Sequence, residues 1–139
     1  MRFLVAGVAV ALVAMAFAAC TSRGGGGGSG ATSPAVRIVD APIESVDILV
    51  RERYPPGYTL HIVSGLPSGC ARFHLATVMQ RTGNNIAVKV TNTMPADPET
   101  VCTAIYGFHE TNLDLGTNFT SGQAYTVDVN GTTKNFVAQ

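Results

Sequence analysis

In the stretch from Asn85 to Thr93 the apolar residues Ile86, Val88 and Val90 stand at every second position, with Lys89 and Thr91 between them. Only an extended chain sends successive side chains to opposite faces, so this period of two predicts a half-buried strand. The preceding arm, Cys70 to Arg81, is joined to it through Thr82-Gly83-Asn84. Phe73, Leu75 and Met79 are expected on one face of that arm and Arg72, His74 and Gln80 on the other. The two arms read as an antiparallel hairpin, and the rest of the chain must fold around it.

The flanking sequence keeps the same character from Ala35 onward. Val36 to Val39 and Val46 to Glu52 read as short strands, and Pro42 punctuates them. Tyr58 to Ser64 alternates in part and stops at Gly65-Leu66-Pro67-Ser68-Gly69. Met94 to Glu99 is a Pro-punctuated loop, and Val101 to Leu115 reads as one long strand bent near Gly107. Ala124 to Val129 is expected to pair with Thr132 to Ala138 across Asn130-Gly131, a dipeptide whose residues both accept the positive φ of a type I′ turn. No segment carries an apolar stripe of helical period free of Gly, Pro or β-branched clusters.

About seven strands separated by regular turns predict an all-β fold, an antiparallel β-sandwich over residues 35–139. The pattern resembles the immunoglobulin-like architecture, though the chain has no Trp and its cysteines are closely spaced. An up-and-down barrel is the competing arrangement.

The first residues carry an address. Met1-Arg2 supplies one positive charge, and Phe3 to Ala19 follows with seventeen uncharged residues, short for a membrane span but suited to a secretory signal peptide. The run ends in Phe17-Ala18-Ala19-Cys20, which resembles the lipobox of bacterial lipoproteins. That resemblance implies a signal peptide over 1–19, cleavage before Cys20 and a diacylglyceryl group on its thiol. It also implies an extracytoplasmic protein held at the cell membrane or envelope by its lipid. Residues 20–34 hold Gly24-Gly25-Gly26-Gly27-Gly28-Ser29-Gly30, a composition that behaves as coil with a reach of about 20 Å.

With Cys20 committed to lipid, Cys70 and Cys102 remain, and an exported chain favours joining them in a disulfide. Their spacing does not match a zinc motif.

Functional signals are sparse. Nine basic and nine acidic residues leave a net charge of zero, which argues against a nucleic-acid partner. No nucleophile elbow, metalloprotease helix, phosphate loop or dinucleotide turn is present, so no cofactor or enzymatic role is expected. His61, His74 and His109 with Glu110 or Asp114 form the one metal-binding set worth testing, and Asp97 and Glu99 the one pair of loop carboxylates. The strongest binding candidate is the loop Tyr54, Pro55, Pro56, Gly57, Tyr58. Two tyrosines on a stiff turn give rigid amphipathic contact area at small entropy cost. The expectation is a non-catalytic module that binds a protein, peptide or glycan of the cell envelope. The alternatives are a loop-based protease inhibitor, similar in architecture to the chagasin type but without its Asn-Pro-Thr-Thr-Gly loop, and a small metal-dependent envelope enzyme.

Overall fold

A computed structural model describes residues 33–139; the signal peptide expected over 1–19, Cys20 and the Gly-rich stretch through residue 32 lie outside the described residues. The described chain forms eight strands, β1 (Val36–Asp40), β2 (Ile43–Arg51), β3 (Gly57–Leu66), β4 (Arg72–Thr82), β5 (Asn85–Pro95), β6 (Gly107–Gly116), β7 (Ala124–Val129) and β8 (Thr132–Val137). They make two sheets, β2-β3-β6 and a five-stranded sheet built on β5. The fold is therefore an all-β sandwich.

Alternation decides what lies between the sheets. Tyr58, Leu60 and Ile62 of β3 point inward from one sheet, and Ile86, Val88 and Val90 of β5 with Tyr125, Val127 and Val129 of β7 meet them from the other. Burying a side chain of this size stabilises by about 1.5–3 kcal/mol, so these three strands supply most of the core. The sandwich closes along its sides by contacts between edge strands. Phe73 of β4 stacks on His109 of β6 with centroids 4.0 Å apart. On the other side Lys134 of β8 pairs with Asp47 of β2 at 2.9 Å.

Three expectations need correction. The hairpin β4–β5 forms through the expected turn, but β4 carries irregularities between Phe73 and Leu75 and between Val78 and Gln80. Each extra residue flips the alternation. Ala76 and Val78 consequently pack against the core, while Leu75 and Met79 are exposed on the strand where an inward face was expected. The strand expected over Val101–Leu115 begins only at Gly107, because Cys102 and its neighbours are held in a loop. Finally, one pairing is parallel: β5 runs beside β7 from Asn85↔Thr126 to Val88↔Val129. Two crossings between sheets with only β6 in between reverse the chain twice, so β7 starts at the same end as β5.

One edge of β5 is shared. β7 occupies it through Val88, and β1 takes over antiparallel from Thr91 to Pro95. The change of partner happens at Lys89-Val90, where Ala41 crosses to the other sheet and donates its N–H to the Val90 carbonyl at 3.0 Å.

Candidate functional site

The strand order separates the loops into two ends. One carries Tyr54, the turn Thr82–Asn85 and the segment after β6; the other carries the start of β1, the β3–β4 loop and the β5–β6 loop. The Tyr54 loop and the loops at Gly65–Gly69 and Met94–Glu99 are thus at opposite ends.

At the first end the two tyrosines part company. Tyr54 is fully exposed, at 100% of its accessible surface, on a cis Tyr54–Pro55 turn with Pro55 also exposed and Pro56 half-buried. Tyr58 is only 1% exposed. It is the second residue of β3, and the inward phase of that strand drives its ring into the core. The Tyr58 hydroxyl accepts the Gln139 N–H at 2.7 Å, and its ring packs on Phe119 and Phe136 with centroids 4.6 and 5.2 Å away. Tyr58 therefore supports the loop from below, and the pair does not form one contact surface.

Charged groups surround Tyr54. Gly57 sits beneath the guanidinium groups of Arg51 and Arg53, each with Nε 3.0 Å from where a Cβ would stand. Arg51 pairs with Asp114 across the sheet at 2.5 Å. That guanidinium, together with the Gly116 N–H at 2.7 Å, holds the Asp114 carboxyl below the usual carboxylate range. Arg81 reaches the same end, donating to the Leu115 carbonyl at 2.8 Å and lying 4.8 Å over the Phe119 ring. The arginine rim was not singled out from the sequence; Arg51-Glu52-Arg53, one residue before Pro-Pro-Gly, is its only trace.

At the second end Cys70 and Cys102 form a disulfide, with Cα atoms 5.5 Å apart. The Gly69 N–H donates to the Thr103 carbonyl at 2.9 Å beside it. A groove of about 440 Å³ runs here, lined by Val36, Cys70, Arg72, Thr93, Pro95 and Asp97, among others. Tyr106 lies over Gly65 and donates its hydroxyl to Glu44 at 2.5 Å; the hydrogen bond to that carboxylate raises the phenol above its ordinary value.

The histidines do not converge. His61 points outward from β3, its Nδ1 3.0 Å from the Asn112 carboxamide oxygen, whereas His109 points inward onto Phe73. His74 sits exposed in the first irregularity of β4. Among the described residues no three His, Cys, Asp or Glu side chains come together in a metal-holding group. Asp97 accepts the Glu99 N–H at 3.0 Å, so its carboxylate shapes the loop.

The arrangement offers a rigid exposed aromatic ring with a basic rim at one end and a disulfide-pinned loop at the other. No curated protein and no solved structure matches the chain. A family model, that of the ORF11 beta-sandwich domain, matches residues 60–138, which run from within β3 through β8.

Proposed function

The chain belongs to the ORF11 beta-sandwich domain family, and we propose that its sandwich is a non-catalytic binding module tied to a cell membrane by lipid on Cys20. The anchoring half of this reading is supported by sequence: a basic start, an uncharged run, and Ala18-Ala19-Cys20 followed by a Gly-rich stretch. The binding half is carried by one observation. Tyr54 is fully exposed on a proline-stiffened loop at the end of the sandwich away from where β1 begins. A module tethered through its N-terminal side presents such a loop outward. A protein, peptide or glycan of the envelope is the ligand class that an aromatic ring with a basic rim suits.

The experiment has two arms. Radiolabelled fatty acid should enter the protein and be lost in Cys20→Ser; retention of label would remove Cys20 as the acceptor. Binding to envelope extracts should fall in Tyr54→Ala, and unchanged binding would remove the loop from the reading. Stoichiometric zinc or copper in the purified protein would instead favour a metal-dependent enzyme.

A further inference from the structure

We infer that the disulfide end of the sandwich docks on the lipid surface itself, an inference that rests on the anchored reading above. The loop between β5 and β6 exposes Val101 at 95%, Ile105 at 66% and, at the start of β6, Phe108 at 65%. Val36, where the chain joins the fold, is exposed at the same end. Three such side chains within one eight-residue stretch mark a surface that meets something apolar.

Three features choose lipid as the occupant. First, the sequence from Thr100 to His109 and from Gly65 to Ala71 contains no charged residue, and the disulfide and the Gly69–Thr103 hydrogen bond hold these two segments side by side. Second, the charged residues of this end, Arg37, Glu44, Arg72, Asp97 and Glu99, all fall outside those two segments. Third, the apolar end is the one through which the chain enters. The fifteen residues from Cys20 to Pro34 can span at most about 50 Å, so an acyl chain on Cys20 leaves this end within reach of the bilayer. Tyr106 fits the same boundary, an apolar ring with its hydroxyl on Glu44. Arg37 and Arg72 stand against Glu44, Asp97 and Glu99 around the tip, so docking draws on apolar contact and suits zwitterionic lipid.

The chain has no Trp, which makes a single introduced indole a clean reporter. Full-length lipidated Val101→Trp and Tyr54→Trp are reconstituted on phosphatidylcholine vesicles that contain brominated acyl chains. Flotation with the vesicles reports the anchor; quenching and a blue shift of the indole report the docking. The expected result is flotation of both variants, with the indole of Val101→Trp quenched at least several-fold more than that of Tyr54→Trp. Flotation with equal, weak quenching overturns the docking and leaves the anchor standing. Failure to float overturns the anchor and the docking with it. A blue shift that appears without vesicles and grows with protein concentration gives the tip to a second copy and overturns the lipid assignment.

Discussion

The side chain of Asn130 takes both backbone groups of Val90: the Val90 N–H donates to its Oδ1 at 3.1 Å, and its Nδ2 donates to the Val90 carbonyl at 2.7 Å. The same Nδ2 also reaches the Ala41 carbonyl at 3.0 Å. Val90 is the residue at which β5 exchanges β7 for β1, and it is fully buried. A strand that changes partner leaves a gap in its ladder, and a buried backbone group without a partner is costly. The carboxamide, which carries an amide-like donor and acceptor, stands in for the missing strand.

Asn130→Gly should therefore destabilise the domain by about 1–3 kcal/mol, the cost of leaving the Val90 N–H unmet in the core. The Val90 carbonyl keeps its bond from Ala41, which limits the loss. Asn130 adopts a φ of 49° in the β7–β8 turn. Alanine is strained there, so Asn130→Ala should lose about 1 kcal/mol more than the glycine variant. Urea unfolding of the two variants measures both differences; equal stability of the wild type and Asn130→Gly would show that the gap tolerates water.

Cys70 and Cys102 close a loop with a sequence separation of 32. In the chain-entropy account, removing that constraint from the unfolded chain lowers stability by about 2–4 kcal/mol. The Cys70→Ser and Cys102→Ser double variant should melt lower than the oxidised wild type and match the reduced wild type. An unchanged melting point on reduction would mean the bridge adds no stability.

Much of this architecture was legible locally. The β4–β5 and β7–β8 hairpins follow from Thr82-Gly83-Asn84 and Asn130-Gly131, and the inward set Ile86, Val88 and Val90 from strict alternation. What escaped depends on distant partners. Leu75 and Met79 read as inward because nothing near them in sequence announces the two irregularities that β4 adopts along β5. The parallel pairing of β5 with β7 is set by chain crossings, which leave no periodic mark. Val101 and Ile105 have strand-like sequence, but the Cys102 bridge holds their segment in a loop. At the candidate site Tyr54 and Tyr58 look equivalent beside Pro-Pro-Gly, and only the phase of β3 separates them.

That phase makes the two tyrosines behave oppositely under substitution. Tyr58→Ala removes a buried aromatic from the cluster with Phe119 and Phe136 and should cost about 3–5 kcal/mol, a large share of the stability of an ordinary domain. Tyr54→Ala removes a ring with no covered surface and should leave stability within about 0.5 kcal/mol. Thermal melts of both, run beside the binding assay, separate lost contact from lost folding. A large drop in melting temperature for Tyr54→Ala would contradict its exposed placement.

Asp114 predicts a weak acid limb. Its folded carboxyl is held below the ordinary value by Arg51 and the Gly116 N–H. A lowered carboxyl contributes stability that is fully present above the unfolded value near 4 and is lost as pH falls through the folded value. The pair is exposed, so salt should shrink the effect further. Asp114→Asn should flatten this part of the stability profile below pH of about 4, while leaving the neutral region nearly unchanged; a profile identical to wild type would assign the acid limb to other carboxylates.

Gly65 and Tyr106 give the most direct probe of the disulfide end. A Cβ at Gly65 would run into the Tyr106 hydroxyl and stand 3.0 Å from the Glu44 carboxylate. The obstructing atom is the far end of an exposed side chain, so Gly65→Ala should swing the phenol away with a stability change within about 1 kcal/mol. The ring then loses the hydrogen bond that raises its pKa. For a raised group the associated stability is present below the unfolded value and disappears as pH climbs through the folded one, so the wild type should show an alkaline loss that Gly65→Ala lacks. Glu44→Gln should move the phenol the same way by removing the carboxylate charge while leaving Gly65 intact. Ultraviolet titration of the tyrosines follows the shift directly; a raised phenol that persists in both variants would break the link between Gly65, Glu44 and the posture of Tyr106.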